Sequence, residues 1–129
     1  MTESAIICVD DEVVILDSLK KQLKREFSDR FIYEVAENAE EAWELIEELN
    51  ADNINIIAIV SDWLMPGTKG DEFLIQINQR FPKIIKIMLT GQADETAIER
   101  AKKQANLHAC LYKPWTEQEL TQIITTAID

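Results

Sequence analysis

The chain has 129 residues, of which 47% are hydrophobic and 29% are charged, and its formal net charge is −11. These values fit one water-soluble globular domain, because two domains sharing this length would both be undersized. The acidic excess argues against direct binding of nucleic acid, and the lack of a signal peptide or a membrane-spanning apolar run predicts a cytoplasmic protein.

Five short apolar runs, rich in β-branched residues, are predicted to form strands that are buried on both faces of a sheet. In chain order the runs cover residues 5–9, 31–35, 56–60, 84–89 and 109–112. Between them, apolar residues recur at three- and four-residue intervals, which predicts five amphipathic helices. The five stripes comprise Leu16, Leu19, Leu23 and Phe27; Ala42, Leu45 or Ile46, and Leu49; Phe73, Leu74 and Ile77; Ala97, Ile98 and Ala101; and Leu120, Ile123, Ile124 and Ala127.

The residues between the runs predict the helix starts and the fold class. Asn38 with Glu41 and Thr116 with Glu119 have the spacing of capping boxes, and Asp94 precedes the fourth stripe as a cap. Strands that alternate with helices predict an α/β fold, in which right-handed crossovers cover both faces of a parallel sheet. In such a sheet the ligand crevice lies beyond the carboxyl ends of the strands.

The two cysteines and the single histidine offer no zinc site. Cys8 and Cys110 each lie within an apolar run and are predicted to be buried, reduced thiols. His108, at the start of the last run, is predicted to be a surface or edge residue.

Acidic, hydroxyl and ammonium side chains follow four of the five predicted strands. They are Asp10, Asp11 and Glu12 after the first strand, Asp62 after the third, Thr90 after the fourth and Lys113 after the fifth. A single such residue is most simply a helix cap or a solvated side chain, but four strand ends together predict a functional site. Part of the negative charge would then belong to a local carboxylate cluster, while the rest serves solubility.

The chemistry of these residues predicts a site for a divalent cation and a phosphoryl group. Asp10, Asp11 and Asp62 would repel one another and raise at least one pKa unless a cation neutralised them, and oxygen ligands favour Mg²⁺. Asp62 could act as a nucleophile that forms an aspartyl phosphate. Lys113 would balance charge on the phosphoryl oxygens, and the Thr90 hydroxyl would donate to one of them.

Four segments of the chain resemble the signatures of the response regulator receiver family, and the resemblance covers essentially the whole chain. The segments are Val9-Asp10-Asp11-Glu12, Ser61-Asp62-Trp63-Leu64-Met65-Pro66-Gly67, Leu89-Thr90-Gly91 and Lys113-Pro114-Trp115. The resemblance implies one receiver domain over residues 1–129, with a flavodoxin-like three-layer sandwich of five parallel strands in the order 2-1-3-4-5 and five helices. It also implies a phosphorylation-dependent switch in a two-component phosphorelay rather than an enzyme.

The resemblance implies Asp62 as the phosphoacceptor and Asp10 or Asp11, with Asp62, as ligands of Mg²⁺. The backbone carbonyl of Leu64 would be a further ligand. The phosphoryl group would come from a sensor histidine kinase or a phosphotransfer protein, and many relatives also accept it from acetyl phosphate. An output domain or a downstream protein would receive the signal; many relatives also pair as homodimers, and neither nucleic acid nor a membrane is an expected direct partner.

The same resemblance implies that Thr90 and Lys113 contact the phosphoryl group and that the Lys113-Pro114 bond is cis. One position departs from the family pattern, because Cys110 stands where many relatives have an aromatic residue that swings inward on activation. Strand alternation gives Tyr112 the parity of Cys110 rather than that of Lys113. We therefore expect movement of Thr90, without the aromatic switch, to carry the signal through the helix over residues 94–105, the last strand and the final helix.

Two residues near the site and the three tryptophans carry further predictions, some of which leave two roles open. Leu64 could shield the acyl phosphate from water whereas Gln92 could orient an attacking water, so the phosphoryl lifetime is not predicted. Trp43 is predicted to be a core residue and Trp63 to report on the site. Trp115 either packs at a helix start or anchors a partner.

Two other functions compete with the switch. A hydrolase with an aspartyl-phosphate intermediate would need a second acid at position 64, which is Leu64, and a cap domain for which the chain is too short. A binding module that no longer signals by phosphorylation would not need the full set of acids, threonine and lysine. Whether the chain acts alone or as part of a larger protein is open.

Overall fold

The structure is a computed structural model that describes residues 3–91 and 95–128. Its elements are β1 (Ser4–Val9), α1 (Val13–Phe27), β2 (Ile32–Ala36), α2 (Ala39–Ala51), β3 (Asn55–Asp62), α3 (Gly70–Arg80), β4 (Ile85–Thr90), α4 (Glu95–Gln104), β5 (Ala109–Tyr112) and α5 (Glu117–Ile128). A 3₁₀ turn over Ser28–Arg30 joins α1 to β2. The predicted strands and helices are thus confirmed, and the strand ends differ from the prediction by one or two residues.

The five strands form one parallel sheet in the order β2-β1-β3-β4-β5, which confirms the predicted flavodoxin-like topology. The chain order reverses between β1 and β3, which are neighbours at the centre of the sheet. Val9 pairs with Ser61 in this register. The residues that follow this pair in the chain are Asp10 and Asp62. They therefore lie together at the carboxyl edge of the sheet, as expected at a topological switch point.

Two apolar layers cover the sheet, one under α2, α3 and α4 and the other under α1 and α5. The predicted stripes of α1, α3 and α4 are buried. On α2, Ile46 rather than Leu45 is the fully buried member of the pair, and on α5 Ile123 and Ala127 are only half-buried. Helices that pack on one face of a sheet leave the flanks of their stripes partly exposed.

Trp43 lies at the rim of the core, not inside it. The side chain is half-buried on α2, which covers the edge strand β2. Its ring packs edge-on against Phe73 with 5.9 Å between centroids, and the Arg80 guanidinium lies 5.0 Å above the ring. The indole Nε1 donates to the Gln76 side chain at 3.4 Å. The apolar stripe identified the correct helix face, but an edge helix leaves one flank in water.

Both predicted caps are confirmed, and the one at Thr116 is a full capping box. Asn38 accepts a hydrogen bond from the Glu41 backbone N–H at 2.9 Å. At α5 the exchange is reciprocal, because Thr116 Oγ1 accepts from the Glu119 N–H at 3.1 Å and the Thr116 N–H donates to the Glu119 carboxylate at 2.9 Å. These bonds satisfy backbone donors that the first helical turn leaves unpaired.

Both cysteines are free thiols, Cys8 buried and Cys110 half-buried. His108 is exposed, as predicted, and lies 3.2 Å from Thr126 Oγ1. No helix in the described part of the chain has both the length and the apolar character needed to cross a membrane.

Candidate functional site

Three acids meet at the carboxyl edge of the sheet. Asp10, Asp11 and Asp62 each offer a carboxylate oxygen, and these oxygens lie within 4.8 Å of one another. Asp10 is fully buried and Asp62 is 5% exposed, whereas Asp11 is exposed. The Glu12 backbone N–H donates to Asp10 Oδ1 at 2.8 Å and orients this carboxylate.

Lys113 enters the same cluster from the end of β5. Its Nζ lies 2.9 Å from Asp10 Oδ2 and 3.2 Å from Asp62 Oδ1. Apart from this ion-pair contact, Asp10 Oδ2 has no hydrogen-bond partner among residues 3–91 and 95–128. The Lys113 backbone N–H donates to the Thr90 carbonyl at 2.8 Å, which ties the ends of β4 and β5 together. The Lys113-Pro114 bond is cis, as the resemblance implied.

Burial and neighbouring carboxylates raise the pKa values of the two buried acids. Burial is the largest cause for Asp62, and with the neighbouring Asp10 it raises the pKa to about 6 against the opposing effect of Lys113. Burial also raises the pKa of Asp10, although the Glu12 N–H and Lys113 lower it. For Lys113, burial lowers the pKa, but contacts with the two carboxylates outweigh burial and the net pKa is raised. Repulsion was the predicted cause, and desolvation contributes more.

The charge balance of the cluster fits a hard divalent cation. Three carboxylates face one ammonium group, so negative charge remains uncompensated where two of the acids are buried. Burial of unpaired charge is unfavourable, and an all-oxygen set of carboxylates suits Mg²⁺. The residues present therefore fit the ion that the sequence predicted.

An open cavity of about 450 Å³ lies over this cluster. Asp11, Asp62, Leu64, Thr90 and Lys113 are among the residues that line it, so the structure brings the predicted site residues together. A larger cavity of about 900 Å³ opens elsewhere, near the start of β3 and the end of α5, and none of its lining residues is an acid. Of these two cavities, the smaller one therefore has the acids, the hydroxyl and the ammonium that could bind a cation and a phosphoryl group.

The first residue of α3, Gly70, is a site residue that the sequence analysis missed. Gly70 begins α3 so close to the backbone carbonyl of Asp62 that an added Cβ would collide with it. The Gly70 N–H also donates to the Trp63 carbonyl at 2.7 Å. Leu64, in the loop from β3 to α3, is 48% exposed. A glycine before a helical stripe could have suggested a close approach, but the sequence alone does not say what it approaches.

The end of β5 differs from the family pattern as expected. Cys110 is half-buried and Tyr112 is 58% exposed, so neither places a buried aromatic ring behind Thr90. Trp115 is half-buried, and its Nε1 donates to the Gln22 side chain of α1 at 2.7 Å. Trp115 therefore packs against α1 at the start of the last helix, which was the first of its two predicted roles.

Two residues named in the sequence analysis, Gln92 and Asp94, lie outside the described residues. Their suggested roles, in orienting water and in capping the fourth helix, remain predictions.

Comparison with known proteins identifies relatives over nearly the whole chain. A family model for the response regulator receiver domain matches residues 6–125. The hydrogenase transcriptional regulatory protein HoxA of Cupriavidus necator is 28% identical over 127 residues, which are 98% of this chain and 24% of HoxA. The chain therefore spans about a quarter of the length of that relative.

Solved structures agree with this match. The signal receiver domain of an HD domain-containing protein from Pseudomonas fluorescens Pf-5 has a TM-score of 0.86 at 26% identity, over 99% of this chain and 95% of that chain. The beryllofluoride-activated NtrC4 receiver domain dimer has a TM-score of 0.82 at 27% identity, over 95% of this chain and 94% of that chain.

Proposed function

This chain belongs to the response regulator receiver domain family of two-component signalling, and from that premise we propose that it is a switch phosphorylated on Asp62. A sensor histidine kinase or a phosphotransfer protein donates the phosphoryl group. The single observation that carries the proposal is the meeting of Asp10, Asp62 and Lys113 within 3.2 Å contacts at one sheet edge. The proposed nucleophile Asp62, the second acid Asp10 and the Lys113 ammonium that balances part of their charge are thereby held at the same place.

The acids of the cluster are the proposed ligands of Mg²⁺. Asp10, Asp11 and Asp62 would supply carboxylate oxygens, and the backbone carbonyl of Leu64 would supply a further one. When bound, Mg²⁺ neutralises charge on the acids and on the phosphoryl oxygens. The protein contributes a fixed arrangement of oxygens, because the Glu12 N–H orients Asp10 and the end of β3 positions Asp62.

The reaction proposed for Asp62 is a displacement at phosphorus. A carboxylate oxygen of Asp62 attacks the phosphorus atom of phosphohistidine, the P–N bond breaks, and the imidazole leaves as an acyl phosphate forms. Lys113 moves from the carboxylates toward the phosphoryl oxygens, where its charge is needed most. Thr90 donates its hydroxyl to a second oxygen. Each chain accepts one phosphoryl group and loses it slowly to water, so the protein is not an enzyme that turns over a substrate.

The proposed output surface is the face formed by α4, β5 and α5. Lys113 and Thr90 are bonded through their backbones, so movement of either one disturbs the ends of β4 and β5 together. HoxA is a transcriptional regulatory protein of which this chain matches a quarter, which supports an output domain or a separate downstream protein as the receiver of the signal. We further propose residues 1–129 as one receiver domain, acting in the cytoplasm without direct contact to nucleic acid, and able to pair as a homodimer.

Intact mass spectrometry after incubation with acetyl phosphate and Mg²⁺ tests the proposal. We expect one added phosphoryl group on the wild-type chain, none after chelation of the metal, and none on Asp62→Asn. A wild-type mass that stays unchanged would remove the phosphorylation switch and favour a binding module. Continuous release of phosphate from a phosphate ester would instead revive the hydrolase.

Backbone NMR shifts test the proposed output surface. Addition of beryllofluoride and Mg²⁺ should shift amide signals in α4, β5 and α5 as well as at the strand ends. Shifts confined to residues around the cavity would contradict transmission to that face.

A further inference from the structure

Helix α4 is joined to the start of α3 by one arginine. Arg100 of α4 lies 3.3 Å from Asp71 Oδ2 through Nη1 and 2.7 Å from Glu72 Oε2 through Nη2. The Asp71 side chain is 11% exposed, whereas those of Arg100 and Glu72 are 41% and 43% exposed. A largely buried carboxylate that is paired with an arginine is a costly contact to break.

The start of α3 is also the part of that helix that contacts the phosphoacceptor. Gly70 packs on the carbonyl of Asp62 and its N–H binds the carbonyl of Trp63. Asp71 and Glu72 follow Gly70 directly in the first turn of α3. A continuous line of close contacts therefore runs from the backbone of Asp62, through the first turn of α3, to Arg100 on α4.

The inner face of α4 interlocks weakly with the sheet. Its buried residues are Ala97, Ile98 and Ala101, so one side chain larger than alanine is buried along the described helix. Small side chains form few interdigitating contacts across a helix interface. At the far end of α4, Asn78 Nδ2 donates to the Gln104 carbonyl at 3.2 Å. Polar contacts from Arg100 in the middle of α4 and from the Gln104 carbonyl at its end therefore add to these buried side chains in fixing α4.

We propose that the Asp71–Arg100–Glu72 ion pairs hold α4 in its unphosphorylated position and thereby oppose phosphoryl binding at Asp62. This inference rests on the proposed function. The Lys113 ammonium is shared between Asp10 and Asp62 in the described arrangement. The proposed phosphoryl group would draw this ammonium away, so the described arrangement is the one that phosphorylation would disturb.

Any contact that stabilises only the unphosphorylated arrangement lowers the affinity for a phosphoryl mimic, by thermodynamic linkage. With no aromatic ring at Cys110 to couple β5 to Thr90, these ion pairs are a connection between the site and α4 within residues 3–91 and 95–128.

The test is the affinity of the full chain for beryllofluoride in the presence of Mg²⁺, followed by tryptophan fluorescence. Arg100→Gln should bind beryllofluoride roughly three- to tenfold more tightly than the wild-type chain. This direction is informative because loss of a positive charge would by itself weaken the binding of an anion. Lys102→Gln is the matched control, since Lys102 is a cation of the same helix that pairs within it, with Glu99 at 3.7 Å.

Each outcome decides the inference. Tighter binding by Arg100→Gln, with Lys102→Gln unchanged, supports the ion-pair restraint on α4. Wild-type or weaker binding by Arg100→Gln overturns it, and so does an equal gain in Lys102→Gln. If Arg100→Gln fails to fold in urea titrations, Arg100→Lys, which keeps the positive charge but cannot reach both carboxylates with one planar group, decides in the same way. A wild-type chain that binds no beryllofluoride at all would instead count against the proposed function.

Discussion

Asp62→Asn should stabilise the metal-free protein, because it removes a buried negative charge that opposes folding. Burial and the neighbouring Asp10 raise the pKa of Asp62 from its usual 3.8 to about 6. Each pKa unit corresponds to about 1.4 kcal/mol. The ionised carboxylate therefore lowers the free energy of unfolding at neutral pH by at most about 3 kcal/mol, and asparagine has nearly the same shape without the charge.

The pH dependence of this effect has a defined sign. Well below the usual pKa of 3.8, Asp62 is protonated in the folded and unfolded chains alike and imposes no penalty. Between 3.8 and about 6 the folded chain binds more protons than the unfolded chain, so the free energy of unfolding falls as the pH rises. Above that range the penalty is complete. The stabilisation by Asp62→Asn should therefore grow with pH across this window.

Urea unfolding of the metal-free chain, followed by tryptophan fluorescence, measures the effect at neutral pH and near the usual pKa of an aspartate. Glu44→Gln, which removes an exposed acid on α2, is the control for a general loss of negative charge. Saturating Mg²⁺ should reduce the advantage of the variant, because the wild-type chain gains binding free energy from the ion. If Asp62→Asn were no more stable than the wild-type chain at neutral pH, burial of the ionised Asp62 carboxylate would not be destabilising, which contradicts the prediction.

Three further substitutions test separate parts of the structure. Gly70→Ala should destabilise the fold by roughly 2 kcal/mol or more in urea titrations, because the new Cβ would collide with the carbonyl of Asp62. Gly91→Ala is the control and should leave the stability nearly unchanged, because the nearest atom to its new Cβ would lie 3.7 Å away. Asn38→Ala should cost about 1 kcal/mol, because the side chain caps α2, and thermal unfolding would show an unchanged Tm if the cap were idle. Lys113→Met should slow phosphorylation by acetyl phosphate by roughly a hundredfold; time-resolved intact mass would reveal an undiminished rate if Lys113 did not contact the phosphoryl group.

The fold and the meeting of the site residues could be predicted from the sequence because both depend on short-range patterns. Apolar runs define buried strands, and parallel strands place the residues that follow them at one edge. Asp10, Asp62 and Lys113 each stand at the carboxyl end of such a strand, so their meeting at one edge could be predicted. It did not predict that desolvation would outweigh repulsion in raising the pKa of Asp62, because burial depth depends on packing that no local pattern encodes.

Long-range side-chain contacts were beyond the sequence analysis. Lys86 lies within an apolar run, yet its side chain is buried and its Nζ donates to Asn78 Oδ1 at 2.8 Å and to the Pro82 carbonyl at 3.1 Å. Strand alternation gives the face of a residue but not the partner of its terminal atom. The same holds for Arg100, whose acidic partners precede it by 28 and 29 residues. Pairs of this kind can be found only after the helices are placed.

The proposed phosphorylation of Asp62 would change the charge that Lys113 faces. The structure places its ammonium between Asp10 and Asp62. The proposed phosphorylation would replace the single charge of the Asp62 carboxylate with an acyl phosphate of higher charge, which would attract the ammonium away from Asp10. The Lys113 N–H is bonded to the Thr90 carbonyl, and both residues end strands that border α4 and α5. In the proposed switch, this movement of the Lys113 ammonium would displace the ends of β4 and β5 together, and the proposed ion pairs of Arg100 would oppose the accompanying movement of α4.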